Sequence, residues 1–272
     1  MDASSVHPAS LPEFDDGWLL RHRAHDVAHL LRRWRSVARA ARLELRVIHE
    51  TVGFPVYFLT TRNVTGRPLY LSTGVHGDEA ASVLGLLEWA ERSISYLRIA
   101  DVVLLPLFNP AGLALNTRSD SDGNDLNRCF DHPAHPHING WRDAMAGYLP
   151  RLAVCLHEDY DAQGLYAYEL NHSGRPRPAE YCLTAAQDIL PRDSRRTIEG
   201  FPARAGLIRR RQPPLLENLP EAIVLYRAGT PCTITFETPS EFSLAQRTRA
   251  HIRLLHAVRE WDAAASSRTL PL

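Results

Sequence analysis

The sequence predicts an α/β fold, and three observations carry that prediction. Leu69 to Ser72 is a short apolar run closed by Gly74. An apolar-periodic stretch follows through Val83, Leu86, Leu87 and Ala90 to about Leu97, and Asp101 to Phe108 is a second buried run. Strand, helix and strand in that order make a βαβ unit, whose crossover is right-handed. Two more apolar runs, Leu152 to Leu156 and Thr230 to Phe236, read as further buried strands. Ligands of such sheets gather beyond the carboxyl ends of the strands.

Composition narrows the function classes. At 272 residues the chain has room for one large domain, and with no repeat or linker we read residues 1–272 as one, with residues 1–16 a loosely held arm. Lys+Arg 31 balances Asp+Glu 31, so no net charge draws the protein to nucleic acid or an anionic membrane. No apolar run approaches the roughly 20 residues of a membrane helix. The start of the chain has neither the basic residues nor the apolar segment of a secretory signal. The four cysteines, Cys129, Cys155, Cys182 and Cys232, are widely spread and read as reduced, buried small hydrophobes. A cytoplasmic protein is expected.

The remaining elements follow from periodicity. Val27, Leu30, Leu31, Trp34, Val37, Ala38 and Ala41 form a helical stripe, with Arg32, Arg33, Arg35, Arg39 and Arg42 opposite as a solvated face. Leu43 to Thr51 and Phe54 to Arg62 are β-rich runs joined by a hairpin turn at Val52-Gly53. Leu113 to Phe130 reads as a long loop dense in donors, of a length that is usually functional. The Pro-containing segment with His132, His135 and His137 reads as an exposed loop before a short helix around Trp141 to Leu149. A strand over Gly164 to Leu170 and a helix over Tyr181 to Ile189 precede an irregular basic stretch, Arg192 to Arg211, read as surface. A last helix carries Ile252, Leu255, Val258 and Trp261.

Chemistry-bearing residues collect at the predicted strand ends. His76 and Glu79 stand three apart where the first strand hands over to its helix, and His157 follows another strand. Two imidazoles and one carboxylate with an open fourth position are a known catalytic zinc pattern. Arg118, Asn127 and Arg128 lie in the donor-rich loop, and guanidinium forks match carboxylates two bonds at a time. Glu237 leaves the last strand just before Pro239, placed to act as a base in a cleft.

The ordered set His76-Gly-Asp-Glu79, Asn109-Pro-Ala-Gly112 with Arg118, Asp125-Leu-Asn-Arg128, His157 and Phe236-Glu-Thr-Pro239 resembles the zinc carboxypeptidases of the carboxypeptidase A superfamily, over roughly residues 45 to 260. The bacterial carboxypeptidase-like and murein-peptide amidase-like branch is the nearest in look. That resemblance implies a single-domain α/β/α sandwich around a mixed, mainly parallel eight-stranded sheet. It implies one Zn2+ held by His76, Glu79 and His157, with Glu237 the general base to a zinc-activated water. Arg118 would polarise the scissile carbonyl, and Asn127 and Arg128 would grip the free C-terminal carboxylate of a peptide. Cys129 departs from the asparagine usual after the Asn-Arg pair. The substrate-capping tyrosine has no motif here, leaving Tyr166, Tyr168, Tyr181 and Tyr226 as candidates. A deacylase of N-acyl amino acids, like the succinylglutamate desuccinylases and aspartoacylases that share the metal triad, is the alternative enzyme. A catalytically inactive peptide-binding relative is the alternative outside the enzymes.

Overall fold

The computed structural model describes residues 23–172 and 177–268; the arm expected over residues 1–16 lies outside them. Helix α1 (Val27–Ala41) buries the predicted stripe, and Asp26 caps it by accepting a hydrogen bond from the His29 N–H. Its basic face is not wholly solvated, because Arg33 pairs with Glu88 and Glu91 at 2.5 and 2.7 Å. Strands β1 (Glu44–Thr51) and β2 (Phe54–Thr60) form the predicted hairpin. Val52 and Gly53 both have positive φ, as a two-residue turn that matches strand twist requires.

Next come β3 (Leu69–Thr73), α2 (Ala80–Arg92), the single turn α3 (Ile94–Leu97) and β4 (Val102–Leu105). The predicted single helix is broken at Ser93. Helix α2 is buried from Ala80 to Ala90, so it forms a core layer rather than a surface one. After α4 (Pro110–Leu115) and a 3₁₀ turn (Leu126–Arg128), α5 runs from Pro136 to Met145. The stretch read as an exposed histidine-proline loop is therefore partly helix. Pro136 opens it at a position where its missing N–H costs nothing, and His137 is buried.

The chain continues with β5 (Leu152–Asp159), β6 (Tyr166–Asn171), α6 (Pro178–Ala186), the short hairpin β7 (Thr197–Ile198) and β8 (Phe201–Pro202), β9 (Leu207–Arg210), α7 (Glu221–Arg227), β10 (Cys232–Pro239) and α8 (Leu244–Arg268). Strand β9 corrects the reading of Arg192 to Arg211 as irregular: β9 adds a strand to the sheet beside β6. The β5 and β10 strands also run past their predicted ends, because ladder pairing continues through Glu237 opposite His157 to Pro239 opposite Asp159. All four cysteines are free and buried.

The eight-stranded sheet has the order β1-β2-β4-β3-β5-β10-β6-β9. Its centre, β4-β3-β5-β10, is parallel, and β1-β2, β2-β4 and β10-β6 are antiparallel. Side chains alternate between its faces. Leu69, Leu71, Val154 and Ile234 pack in one core with α1, α2, α6 and α8; Tyr70, Val103 and Ala153 pack in another with Phe108, Phe130 and Trp141 of the α5 side. The result is an α/β/α sandwich. From β3 the chain first places β4 on one side and then β5 on the other, so the crevice between their carboxyl ends is the topological switch point.

His137 gives the fold a defined acid sensitivity. Its ring lies 4.1 Å from that of His49 and 5.8 Å from that of His135, which is 3.4 Å from the Asp120 carboxylate. Burial, then the two imidazoles, lower its pKa from 6.5 to about 3, with Asp120 opposing. The unfolded chain therefore takes up this proton first. Stability falls as pH drops from 6.5 towards 3, by up to about 1.4 kcal/mol per pH unit. The urea midpoint should be lower at pH 5 than at pH 7.5 (on the order of this slope), and His137→Leu should narrow the difference. An equal difference in the variant would remove His137 as its source.

Candidate metal centre

The site starts where β3 stops. Gly74 turns the chain at φ +65°, and a Cβ there would meet Leu107 Cδ1 at 2.8 Å and Val83 Cγ2 at 2.9 Å. Gly77 sits against the backbone of Gly112, where a Cβ would fall 2.0 Å from the Gly112 carbonyl carbon. The segments His76-Gly-Asp-Glu79 and Asn109-Pro-Ala-Gly112 are thus pressed together backbone to backbone. Asn109 fixes the second of them by accepting the Gly112 N–H at 2.9 Å.

Glu79 is the N-cap residue of α2, yet its side chain caps nothing. The helix end is satisfied instead from β5: Glu158 Oε1 accepts the Ala81 and Ser82 N–H groups at 2.6 and 3.3 Å, and its other oxygen meets Arg247. The Glu79 carboxylate is left to turn inward. His76 Nδ1 lies 2.5 Å from Oε1, and His157 Nδ1 lies 2.9 Å from Oε2 without hydrogen-bond alignment. All three residues are buried, and one ligand atom from each lies within 4.8 Å of the others.

The protonation pattern indicates what these atoms need. His76 Nε2 is 3.1 Å from Asp125 Oδ1, and Arg118 Nη1 approaches His76 Nδ1 at 3.3 Å. With Nε2–H donated to Asp125, the Nδ1 lone pair faces the Glu79 carboxylate, and two acceptors at this distance require a cation or a proton between them. The electrostatics point the same way. Burial opposes charge on His76, but Glu79 and Asp125 raise its pKa to about 9; burial likewise opposes charge on Glu79, but the two imidazoles lower its pKa to about 2. Two imidazole nitrogens and a carboxylate around one point, one imidazole backed by a carboxylate, fit a single divalent metal ion.

Asp125 was visible in the sequence only as part of a motif. Its Oδ1 takes His76 and the Asn127 N–H, and its Oδ2 takes Arg118 Nε and Nη2 at 3.1 and 3.0 Å. Although burial opposes this, His76 and Arg118 hold its carboxyl well below the usual range. Glu237 lies opposite His157 in the ladder, half-buried, its carboxylate accepting no hydrogen bond from any described residue. Burial first, with Glu79 and Asp159 adding to it, raises its pKa to about 8.

His76, Glu79, Arg118, Asn127, Arg128 and Glu237, among others, line one cavity of about 490 Å³, and His157 stands behind Glu79. Asn127 also has a framework contact, its Oδ1 accepting the Glu221 N–H at 3.2 Å. Arg128 is exposed and pairs with no carboxylate among the described residues; its Nη1 donates to the Asn127 carbonyl. Tyr166 and Tyr168 also line the cavity. The hydroxyls of Tyr181 and Tyr226 go elsewhere, to Glu260 and the Arg211 carbonyl.

The fold is shared with solved structures of metallopeptidases. It is shared with a candidate metallopeptidase from Shewanella denitrificans (TM-score 0.77, 19% identity, 86% of this chain and 90% of that one). It is shared too with a metallo-carboxypeptidase from Burkholderia cenocepacia (TM-score 0.64, 14% identity, 92% and 70%). The murein-tripeptide amidase of Escherichia coli O157 is a third such structure (TM-score 0.55, 15% identity, 79% and 90%). In sequence, residues 65–152 match the succinylglutamate desuccinylase/aspartoacylase catalytic domain family. No curated protein matches the sequence.

Asp125→Ala should weaken metal binding by about 10–100-fold, since it removes the group that orients and polarises His76. Competition against a chelating dye measures this; an unchanged affinity would detach Asp125 from the centre.

Proposed function

We propose that the protein is a zinc-dependent metallocarboxypeptidase hydrolysing the C-terminal peptide bond of peptides. The observation that carries this reading is a three-residue metal set, two of whose members line a cavity that also holds a carboxylate raised in pKa and an arginine with no acidic partner among the described residues. When bound by His76, Glu79 and His157, the ion supplies Lewis acidity at the scissile carbonyl and makes a water acidic enough to lose its proton near pH 7.

The chain's own residues do the rest. Glu237 takes that proton and returns it to the leaving amine. Arg118 sets fixed positive charge where the carbonyl oxygen gains negative charge, while Asp125 holds the guanidinium in place. Arg128, with Asn127 beside it, receives the substrate's terminal carboxylate. The match over residues 65–152 supports a second reading, hydrolysis of an N-acyl amino acid at the same centre, with the amide of the acyl group in place of the peptide bond.

Chelation should abolish hydrolysis and added Zn2+ restore it. Glu237→Gln should retain metal and lose about 10²–10⁴-fold in kcat. Arg118→Met should lose about 10²–10³-fold. Turnover of blocked dipeptides sets the first reading against the second, tested with N-acetyl- and N-succinyl-amino acids. Cleavage of the acyl amino acids alone would overturn the carboxypeptidase reading, and a Glu237→Gln enzyme with wild-type turnover would remove Glu237 from the reaction.

A further inference from the structure

Two carboxylates stand at the amino end of α2, and they have exchanged roles. Glu79 is the N-cap residue. An N-cap side chain ordinarily accepts the N–H groups of the second and third helical residues, because those donors have no partner inside the helix. In α2 these residues are Ala81 and Ser82. Both N–H groups are already occupied by Glu158 Oε1, at 2.6 and 3.3 Å. The Glu79 oxygens lie instead 2.5 Å from His76 Nδ1 and 2.9 Å from His157 Nδ1. The cap of α2 is thus supplied by a strand, and the residue at the capping position belongs to the metal set.

Glu158 is itself held on several sides. Its side chain is 1% exposed, and its Oε2 meets the guanidinium of Arg247 on α8. Arg247 is steadied in turn by donating its Nε to the Phe242 carbonyl at 2.9 Å. In the ladder Glu158 stands opposite Thr238 of β10, whose hydroxyl lies 3.1 Å from His251 Nε2 on α8. Helix α2 has no room to slide away from this cap, since a Cβ on Gly85 would fall 2.4 Å from the His251 Cβ. The Ser82 hydroxyl donates to the Glu79 carbonyl at 2.8 Å, which ties the N-cap backbone and leaves its side chain unengaged by the helix. An anionic acceptor at a helix amino end is also favoured by the helix dipole.

We infer that Glu158 is a positioning residue for the metal centre: by occupying the Ala81 and Ser82 N–H groups, it leaves the Glu79 carboxylate free to face His76 and His157. Without it those two donors are bare, and the acceptor next to them is Glu79 on the same turn. Capping and metal binding then compete for one carboxylate. The inference rests on the metal set of the proposed function and holds for either bond that the centre cuts.

The test uses three variants of the full chain. Arg247→Met is the reference, because it removes the ion pair and keeps the cap. Glu158→Leu/Arg247→Met removes the cap as well, without leaving a buried unpaired charge. Glu158→Gln/Arg247→Met restores an acceptor oxygen at the same place. Zn2+ affinity is read by competition against a chelating dye, and amide hydrogen exchange at Ala81 and Ser82 is followed with and without Zn2+. The leucine variant should bind Zn2+ about 10–100-fold more weakly than the reference. The glutamine variant should recover most of that loss. In the leucine variant Zn2+ should speed exchange at Ala81 and Ser82, because it draws Glu79 off the helix end; in the reference it should not. Ligand binding to a folded protein ordinarily slows exchange, so the sign separates this exchange of roles from a general loss of stability. Equal Zn2+ affinity in the leucine variant and the reference, a glutamine variant as weak as the leucine one, or slowed exchange at both amides in the leucine variant would overturn the inference. A wild-type protein that binds no Zn2+ would overturn the metal site itself.

Discussion

Three electron-rich groups do not gather out of water unless something forces them together. Glu79 and the Nδ1 atoms of His76 and His157 are buried, each imidazole lies within 2.9 Å of the Glu79 carboxylate, and the lone pairs repel unless a cation or proton sits among them. Each is held by a different means. His157 is fixed by β5, a central strand paired on both sides. Glu79 is fixed by the first turn of α2, which Glu158 grips from the opposite face of that same strand. His76 is fixed by Asp125 and by a glycine turn with no room for a side chain.

One strand therefore serves the site twice. Alternation along β5 sends His157 to the cavity face and Glu158 to the helix face. A slip of one residue in the β3–β5–β10 register would exchange them, moving His157 off the cavity face and uncapping α2 together. The same ladder puts Glu237 beside His157, so the spacing of these two side chains is set by sheet pairing and not by a loop.

The parts of this arrangement visible in the sequence are those that depend on local pattern. The βαβ unit, His76 and Glu79 at the strand-to-helix junction, and the apolar runs before His157 and Glu237 follow from periodicity and turn residues. The reading failed where tertiary partners decide. Strand β9 is four residues within a basic, Gly- and Pro-punctuated stretch, and only β6 makes it a strand. The helix at Pro136 was hidden because proline signals a loop as readily as a helix start. Arg209 and Arg210 look identical in a run of three arginines; strand alternation alone separates a paired structural residue from one that faces the cavity.

Glu221 shows how the wall of the cavity is tied to its floor. It is fully buried, and burial raises its carboxyl pKa. Its oxygens meet the Tyr70 hydroxyl and, at 2.7 Å, the Ser72 hydroxyl, both on β3, and Trp141 donates to Tyr70 in turn. Such an acid is costly to bury and stays only because each oxygen has a partner. Its own N–H meets Asn127, whose N–H meets Asp125, which meets His76, which follows β3 in the chain. The circuit closes on the strand where it began. Helix α7, which contributes cavity wall through Ala222 and Ile223, is thereby fastened to the same strand that delivers His76. Cavity wall and His76 are thus tied to one central strand, which holds their relative positions more precisely than a loop would.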